Sequence, residues 1–487
     1  MSLPAPAFRQ TSPTGTSQAA TGEQQPIARM VQQIQQHEVT PLQLVEQSLA
    51  RAGKYQDQFR AFIKLTPDLA RKQAEEVSRL LAQGRNLPLA GVPFAVKDLY
   101  DVAGTATTAG SRALADNRAT EDCTAVRKLV RAGAICLGKL NMHECAYGFT
   151  GENEAFGNCR NPWNPERIAG GSSSGSAVAV ALDICPLTLG SDTGGSIRQP
   201  SALCGLTGLK PTYGRVSRSG VIPLSWTMDH VGPMVRSAAD AARVLHVLAG
   251  HDPRDEATTR RAVPDYLAQM DPAVRGRRIG LPRKWFFDSL TPEVAQAVEV
   301  AIELFREAGC TVEDVELPLM DEVLGAHRAI IFPEASSYYQ PLVRKKADSI
   351  SPGILSLLQA GSFFPATDYL KALRVRRVVR AKWAEVFRKV DCLITPTTPM
   401  TATAFGQETA ALPGGDKPLV RAYLDLTLPF NLSGHPAISV PCGISADNLP
   451  IGLQIVGRPF EEGTILQLAG HWQQQTDWHQ RRPPAAG

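Results

Sequence analysis

GSDTGGSIRQPSALCGLTGLKP, residues 190–211, is the stretch from which the rest of the chain is read. The mostly apolar run from Cys185 to Gly190 reads as a short buried strand. Ser191-Asp192-Thr193-Gly194-Gly195-Ser196 then forces a tight turn into a second apolar run, which leaves Ser196 on a rigid corner. Two successive glycines let the backbone take positive φ and bring neighbouring N–H groups close to whatever the serine attacks. Such donors form an oxyanion hole, the arrangement that acyl transfer needs. An ordinary Gly-Gly-Ser turn capping a helix has the same local composition, so the surrounding chain has to decide.

Upstream, residues 89–111 read LAGVPFAVKDLYDVAGTATTAGS. Val92, Phe94 and Val96 share one face of a predicted strand, and Lys97 sits with Ala95 on the other. A lysine there is either an edge residue with its head in water or a buried amine. Burial lowers a lysine pKa, and a neutral lysine is a usable general base. Residues 141–148, NMHECAYG, are expected to turn into a helix. His143, Glu144 and Cys145 would then point about 100° apart and could not converge on one atom, so they read as structural.

Residues 157–166, GNCRNPWNPE, are irregular and lead into AGGSSSGSAVAVAL at 169–182, a Gly/Ser loop followed by an Ala/Val helix. The loop lacks the Lys-Ser/Thr ending of a phosphate-binding P-loop. Gly171-Ser172-Ser173-Ser174-Gly175 also fits G-x-S-x-G, with Ser173 as the nucleophile of an α/β-hydrolase elbow. That elbow must follow a strand, and the Asn/Pro-rich run before it does not supply one, whereas Ser196 has its strand.

The first 25 residues are Ser/Thr/Pro/Gln-rich and read as a flexible tail. Apolar spacing predicts two amphipathic helices broken near Thr40-Pro41, a strand over 59–65 and a helix over 67–83. Residues 205–236 read as a Gly/Pro-rich pocket rim carrying Tyr213, Arg215, Trp226, Asp229 and His230. Strand and helix signals alternate from 278 to 317, and residues 320–390 turn helical, with Phe332, Tyr338, Tyr339, Phe363, Phe364 and Tyr369 along them. A Thr/Pro/Gly-rich loop over 396–418, two apolar strands at 437–441 and 451–457 and a final helix complete the chain, with a tail over 479–487.

Length alone suggests about three average domains, although one large α/β domain also reaches it. Hydrophobic content of 43% and charged content of 20% suit a globular enzyme with a sizeable core. Lys and Arg number 51 against 47 Asp and Glu, with no long basic run, so charge does not indicate a nucleic-acid partner. Nine cysteines without a C-x-x-C pair read as buried reduced thiols, which places the protein in the cytoplasm. No apolar run reaches about 18 residues, so no membrane is implied.

Taken together, GVPFAVKD at 91–98, GGSSSGSA at 170–177, GSDTGGSIRQPSALCGLTGLKPT at 190–212, PAISVPCG at 436–443 and PIGLQIVG at 450–457 resemble the amidase signature family over about residues 26–475. The spacings from Ser196 back to Lys97 and Ser172 match the family as well. The resemblance implies an α/β fold with a mixed, twisted central β-sheet covered by helices on both faces. It implies one domain over 26–478, with the helical insertion at about 320–390 lining the substrate pocket. It further implies a Ser-cisSer-Lys triad: Ser196 as nucleophile, Ser172 as bridging proton carrier after a cis Gly171–Ser172 bond, and Lys97 as base. Backbone N–H groups of Thr193, Gly194, Gly195 and Ser196 would form the oxyanion hole. Gly171, Ser173, Asp192 and Arg198 would support the loop. Ser174 departs from the glycine many relatives carry there, away from the triad positions.

No metal or organic cofactor is implied, and no histidine pair has ligand spacing. The expected reaction is hydrolysis of amides through a covalent acyl-enzyme, extending to anilides, carbamates (urethanes) and esters, by a monomer or homodimer acting on a small molecule. The same family includes the glutaminase subunit of tRNA-dependent amidotransferases. Relatives of that kind anchor glutamine partly through an acid shortly before the segment corresponding to Thr427-Leu428-Pro429; here Leu424 takes that place and Asp425 stands one position off. An inactive scaffold of this fold would have lost Lys97, Ser172 or Ser196, and all three are present.

Overall fold

Eleven strands form one mixed sheet in a computed structural model that describes residues 26–271 and 273–486. The expected tail over 1–25 lies outside the described residues. In chain order the strands are β1 (Phe62–Leu65), β2 (Pro93–Lys97), β3 (Ile135–Leu140), β4 (Leu187–Asp192), β5 (Thr207–Lys210), β6 (His230–Val235), β7 (Arg278–Leu281), β8 (Thr311–Asp314), β9 (Cys392–Pro396), β10 (Ala437–Ile444) and β11 (Pro450–Gly457). Their order across the sheet is β1-β3-β2-β4-β6-β5-β10-β11-β9-β7-β8. β2 lies parallel to β3 and β4, whereas β6 runs antiparallel to β4 with Asp192 opposite His230.

Helices cover both sides of the sheet, so the expected fold class is observed. This explains why every residue of β2 is buried, Lys97 included, rather than one face only. The edge-lysine reading of Lys97 therefore fails. Helices Met320–Lys346, Pro352–Ala360 and Ala366–Lys389 make up the helical segment. It is joined to the rim by buried Glu334, which accepts from Ser225 Oγ (2.5 Å), Thr227 Oγ1 (2.8 Å) and Tyr369 Oη (2.9 Å).

Several local expectations differ from the structure. The region 205–236 contains β6, a central strand read as loop because of its Gly232-Pro233 pair. Residues 141–148 form only a short 3₁₀ turn at Glu144–Ala146, since Cys145 and Ala146 take left-handed φ of 53° and 57°. The argument from helical geometry therefore does not apply to His143, Glu144 and Cys145. The irregular 157–166 stretch includes a small hairpin, Arg160–Asn161 with Asn164–Ile168, and the 396–418 loop includes another, Thr409–Leu412 with Gly415–Pro418. Within the expected C-terminal tail, Arg482 pairs with Asp183 at 2.8 Å.

Candidate active site

β4 ends at Asp192, and the chain turns through Thr193–Ser196 into the helix Arg198–Leu203. Asp192 fixes that turn: its Oδ2 accepts the backbone N–H of Ile197 (3.1 Å) and of Arg198 (3.3 Å) and the Nε of Arg198 (3.0 Å). The remaining Arg198 nitrogens donate to Asp192 Oδ1, Thr427 O, Gln454 Oε1 and Asn431 Oδ1 at 2.7–2.9 Å. Burying this ion pair is tolerable only because its bonding positions are so fully used. Burial would raise the Asp192 carboxyl, but the Arg198 guanidinium outweighs it and holds the group below the usual carboxylate range.

Gly195 takes a φ of +138°, and a β-carbon there would lie 2.2 Å from Thr427 Oγ1. Thr427 in turn donates to Gly194 O at 2.6 Å, so the turn is clamped from above. Among the described residues, no protein acceptor takes the backbone N–H groups of Thr193, Gly194, Gly195 or Ser196. That leaves four consecutive backbone donors, the N–H of Ser196 among them, without a protein acceptor among the described residues. Ser196 itself is 6% exposed, the one member of the expected triad with any open surface.

Lys97 and Ser172 are fully buried. The Lys97 amine lies 2.6 Å from Ser172 Oγ and 2.9 Å from Ser191 Oγ. Burial pulls it down to about 7, against the opposing pull of the Asp229 and Asp192 carboxylates. Ser172 follows a cis Gly171–Ser172 peptide. Its loop is held by Gly171 N–H donating to Gln199 Oε1 (2.8 Å) and by Ser172 O accepting from His143 N–H (3.1 Å). Ser173, the alternative elbow serine, donates to Ser191 O (3.2 Å) and accepts from Ser191 N–H (3.3 Å), which occupies its hydroxyl in the scaffold.

Other neighbours complete the surroundings of the turn. Asp229 accepts from Thr193 Oγ1 at 2.6 Å and from the N–H groups of Leu224 and Ser225; burial raises it to about 6. His327 Nε2 lies 3.1 Å from Thr193 O, and burial lowers its pKa to about 4, so the ring is neutral. Asp98 forms a buried ion pair with Lys139 at 2.7 Å directly beside Lys97. Ser191 and Asp98 lie inside stretches that carry the family pattern, Asp229 belongs to the expected rim, and Thr427 stands in the segment compared for a glutamine anchor. His327 and Asn431 come from distant segments and carry no such signal.

His143, Glu144 and Cys145 do not converge. Glu144 accepts from Ser111 Oγ and Ser351 N–H, while Cys145 donates its N–H to Ala109 O. Of the expected rim, Arg215 is buried against Glu462 at 3.6 Å, and Tyr213 donates to Trp226 O. Phe332 stacks on Phe364, but Phe363 is 83% exposed and Tyr338 is also exposed, so the aromatic set does not act as one wall. Among the described residues, no group of three or more His, Cys, Asp and Glu could hold a metal ion, and no helix is long and apolar enough to cross a membrane.

The profile of the family described as Amidase matches residues 43–466. A curated relative from Roseiflexus sp. (strain RS-1), named as a subunit of glutamyl-tRNA(Gln) amidotransferase, is 41% identical, covering 92% of this chain and 95% of its own. Among solved structures, an inhibitor-bound one from a vestigial protein complex tied to the origins of an s-triazine catabolic enzyme superposes with a TM-score of 0.89. It is 36% identical and covers 93% of this chain and 99% of its own. A bacterial aryl acylamidase gives 0.87 at 27% identity, covering 95% and 98%.

Proposed function

This chain belongs to the Amidase family, and from that premise we propose that it hydrolyses a carboxylic amide through a covalent acyl-enzyme on Ser196. The observation that carries this is the 2.6 Å contact between Ser172 Oγ and a buried Lys97 amine held at about 7. A neutral amine at that distance can take the Ser172 proton as Ser172 takes that of Ser196, so the Ser196 oxygen attacks the carbonyl as an alkoxide. The developing oxyanion is met by the four free N–H groups at 193–196. The proton returns along the same path to the leaving nitrogen, the amine departs, and water releases the acid.

The acyl group favoured by the site is apolar. Gly194 is bordered by His327, which is neutral, and by Leu428. Leu424 stands where a glutamine anchor is expected, and Asp425 is engaged by Arg421 at 2.9 Å. The structural likeness to an aryl acylamidase supports anilides as substrates, and carbamates and esters present the same acyl carbon.

A second reading has the stronger support from the comparisons, through the name of the curated relative. As part of an amidotransferase, the chain would release ammonia from glutamine and work only with partner subunits. One experiment separates the two: amine release from glutamine, an aliphatic amide, an acyl anilide and an aryl carbamate, with wild type and Ser196→Ala. Turnover of anilide or carbamate that vanishes in the variant supports the first reading. Activity confined to glutamine, or appearing only with partner subunits, selects the second. Full activity in Ser196→Ala refutes both.

A further inference from the structure

A cavity of about 690 Å³ contains none of the triad residues. Its floor is one face of the helix Ala366–Lys389, where Arg380, Ala384 and Arg388 recur at helical spacing with Phe387 beside them. Tyr213 and Phe460 form the side walls. The composition is unusual: guanidinium groups at both ends and flat apolar surface between.

The charges do not cancel. Asp391 is taken up by Arg278 and Arg458, each at 2.8 Å. Among the described residues, no carboxylate pairs with Arg380 or Arg388. Arg380 spends only its Nε, on Ser433 O at 2.8 Å, which leaves its terminal nitrogens for a ligand. Behind the wall, the Lys210 amine donates to His435 O. His435 is 2% exposed, its ring stacked on Phe387 with centroids 4.7 Å apart, and its Nδ1 has no hydrogen-bond partner. Burial first, then the Lys210 and Arg380 charges, push that imidazole down to about 3, so the ring is neutral.

We propose that this cavity binds a small dianion with a flat apolar body, one anionic end on Arg380 and the other on Arg388. Eight residues of helix separate the two α-carbons by about 12 Å, a span that two flexible guanidinium arms narrow to the length of an aromatic ring with a charge at each end. The ring lies over Ala384 between the half-buried Tyr213 and Phe460, where aromatic contact adds to the charge pairing. An aromatic dicarboxylate with its carboxylates on opposite ends of the ring has this chemistry.

Calorimetric titration of the whole protein with terephthalate, benzoate and inorganic phosphate tests the proposal. Saturable binding of terephthalate, at least about tenfold tighter than benzoate or inorganic phosphate, is expected. Arg380→Gln and Arg388→Gln should each weaken it about tenfold while circular dichroism stays unchanged, because both side chains are exposed. No saturable binding at millimolar ligand, equal affinity for inorganic phosphate, binding unaffected by either substitution, or binding of long RNA alone would each overturn it.

Discussion

Lys97 is subject to two opposing influences, burial that strips its proton and carboxylates that keep it on. With the balance at about 7, kcat/KM should rise about tenfold per pH unit below that value and level off above it. Asp229 is the largest of the opposing charges, so Asp229→Asn should lower the Lys97 pKa and move the rise to lower pH. The asparagine oxygen still accepts from Leu224 and Ser225, which keeps the loop in place. A rise that stays put or moves upward would show that Asp229 does not act on Lys97. The same residue affects stability. The unfolded chain holds the Lys97 proton up to about 10.4 and the folded chain only to about 7, so wild-type stability gains from this site as pH rises through that window. Lys97→Met has no such slope. Its melting temperature should exceed that of wild type near neutral pH, with the gap narrowing toward pH 10.

At the scale of elements, the turn Thr193–Ser196 is positioned by segments that are far apart in the chain. Arg198 joins the end of β4 to Thr427, Asn431 and β11 through Gln454. Removing it leaves Asp192 buried and unpaired. Arg198→Met should therefore cost about 3–5 kcal/mol in urea denaturation, and the double variant with Asp192→Asn should recover part of it. A loss under about 1 kcal/mol would mean that water reaches the carboxylate. Glu334 ties the helix Met320–Lys346 to the rim loop 224–229. Glu334→Gln replaces one acceptor oxygen by a donor facing Ser225, Thr227 or Tyr369, and hydrogen exchange should quicken in residues 320–346 while β2 and β4 stay protected. Faster exchange across the sheet instead would mark Glu334 as part of the global core.

Across the whole molecule, all nine cysteines are buried, spread from residue 123 to residue 442. Burial raises the Cys123, Cys136 and Cys159 thiols to about 12, so the native protein presents almost no thiolate. Reaction with a thiol reagent across a urea series should follow the loss of circular dichroism. A subset reacting earlier would locate a part that opens on its own. The fold class followed from the family resemblance, and individual strands were legible because apolar runs separated by Gly/Pro turns specify buried strands. β6 was not legible: Pro233 donates no backbone hydrogen bond and Gly232 packs no side chain, so His230–Val235 has little local preference for a strand. Its neighbours β4 and β5 impose the extended conformation. Likewise, the left-handed Cys145 and Ala146 are not residues that choose that conformation unaided, and the Cys145 N–H bond to Ala109 O belongs to packing.

The sequence by itself determined the Gly-Gly-Ser turn after a strand, the strand that carries Lys97 and the Gly/Ser loop, because each depends on neighbours within a few residues, whereas the burial of Lys97 came from the helices packed on both faces of the sheet. Only the tertiary structure decided that Lys97 meets Ser172 and Ser191, and that Asp229, Thr427, Asn431 and His327 close around Thr193–Ser196. Proton affinity and hydrogen-bond supply depend on the whole surrounding volume, and in a mixed eleven-stranded sheet that volume is filled by segments hundreds of residues apart.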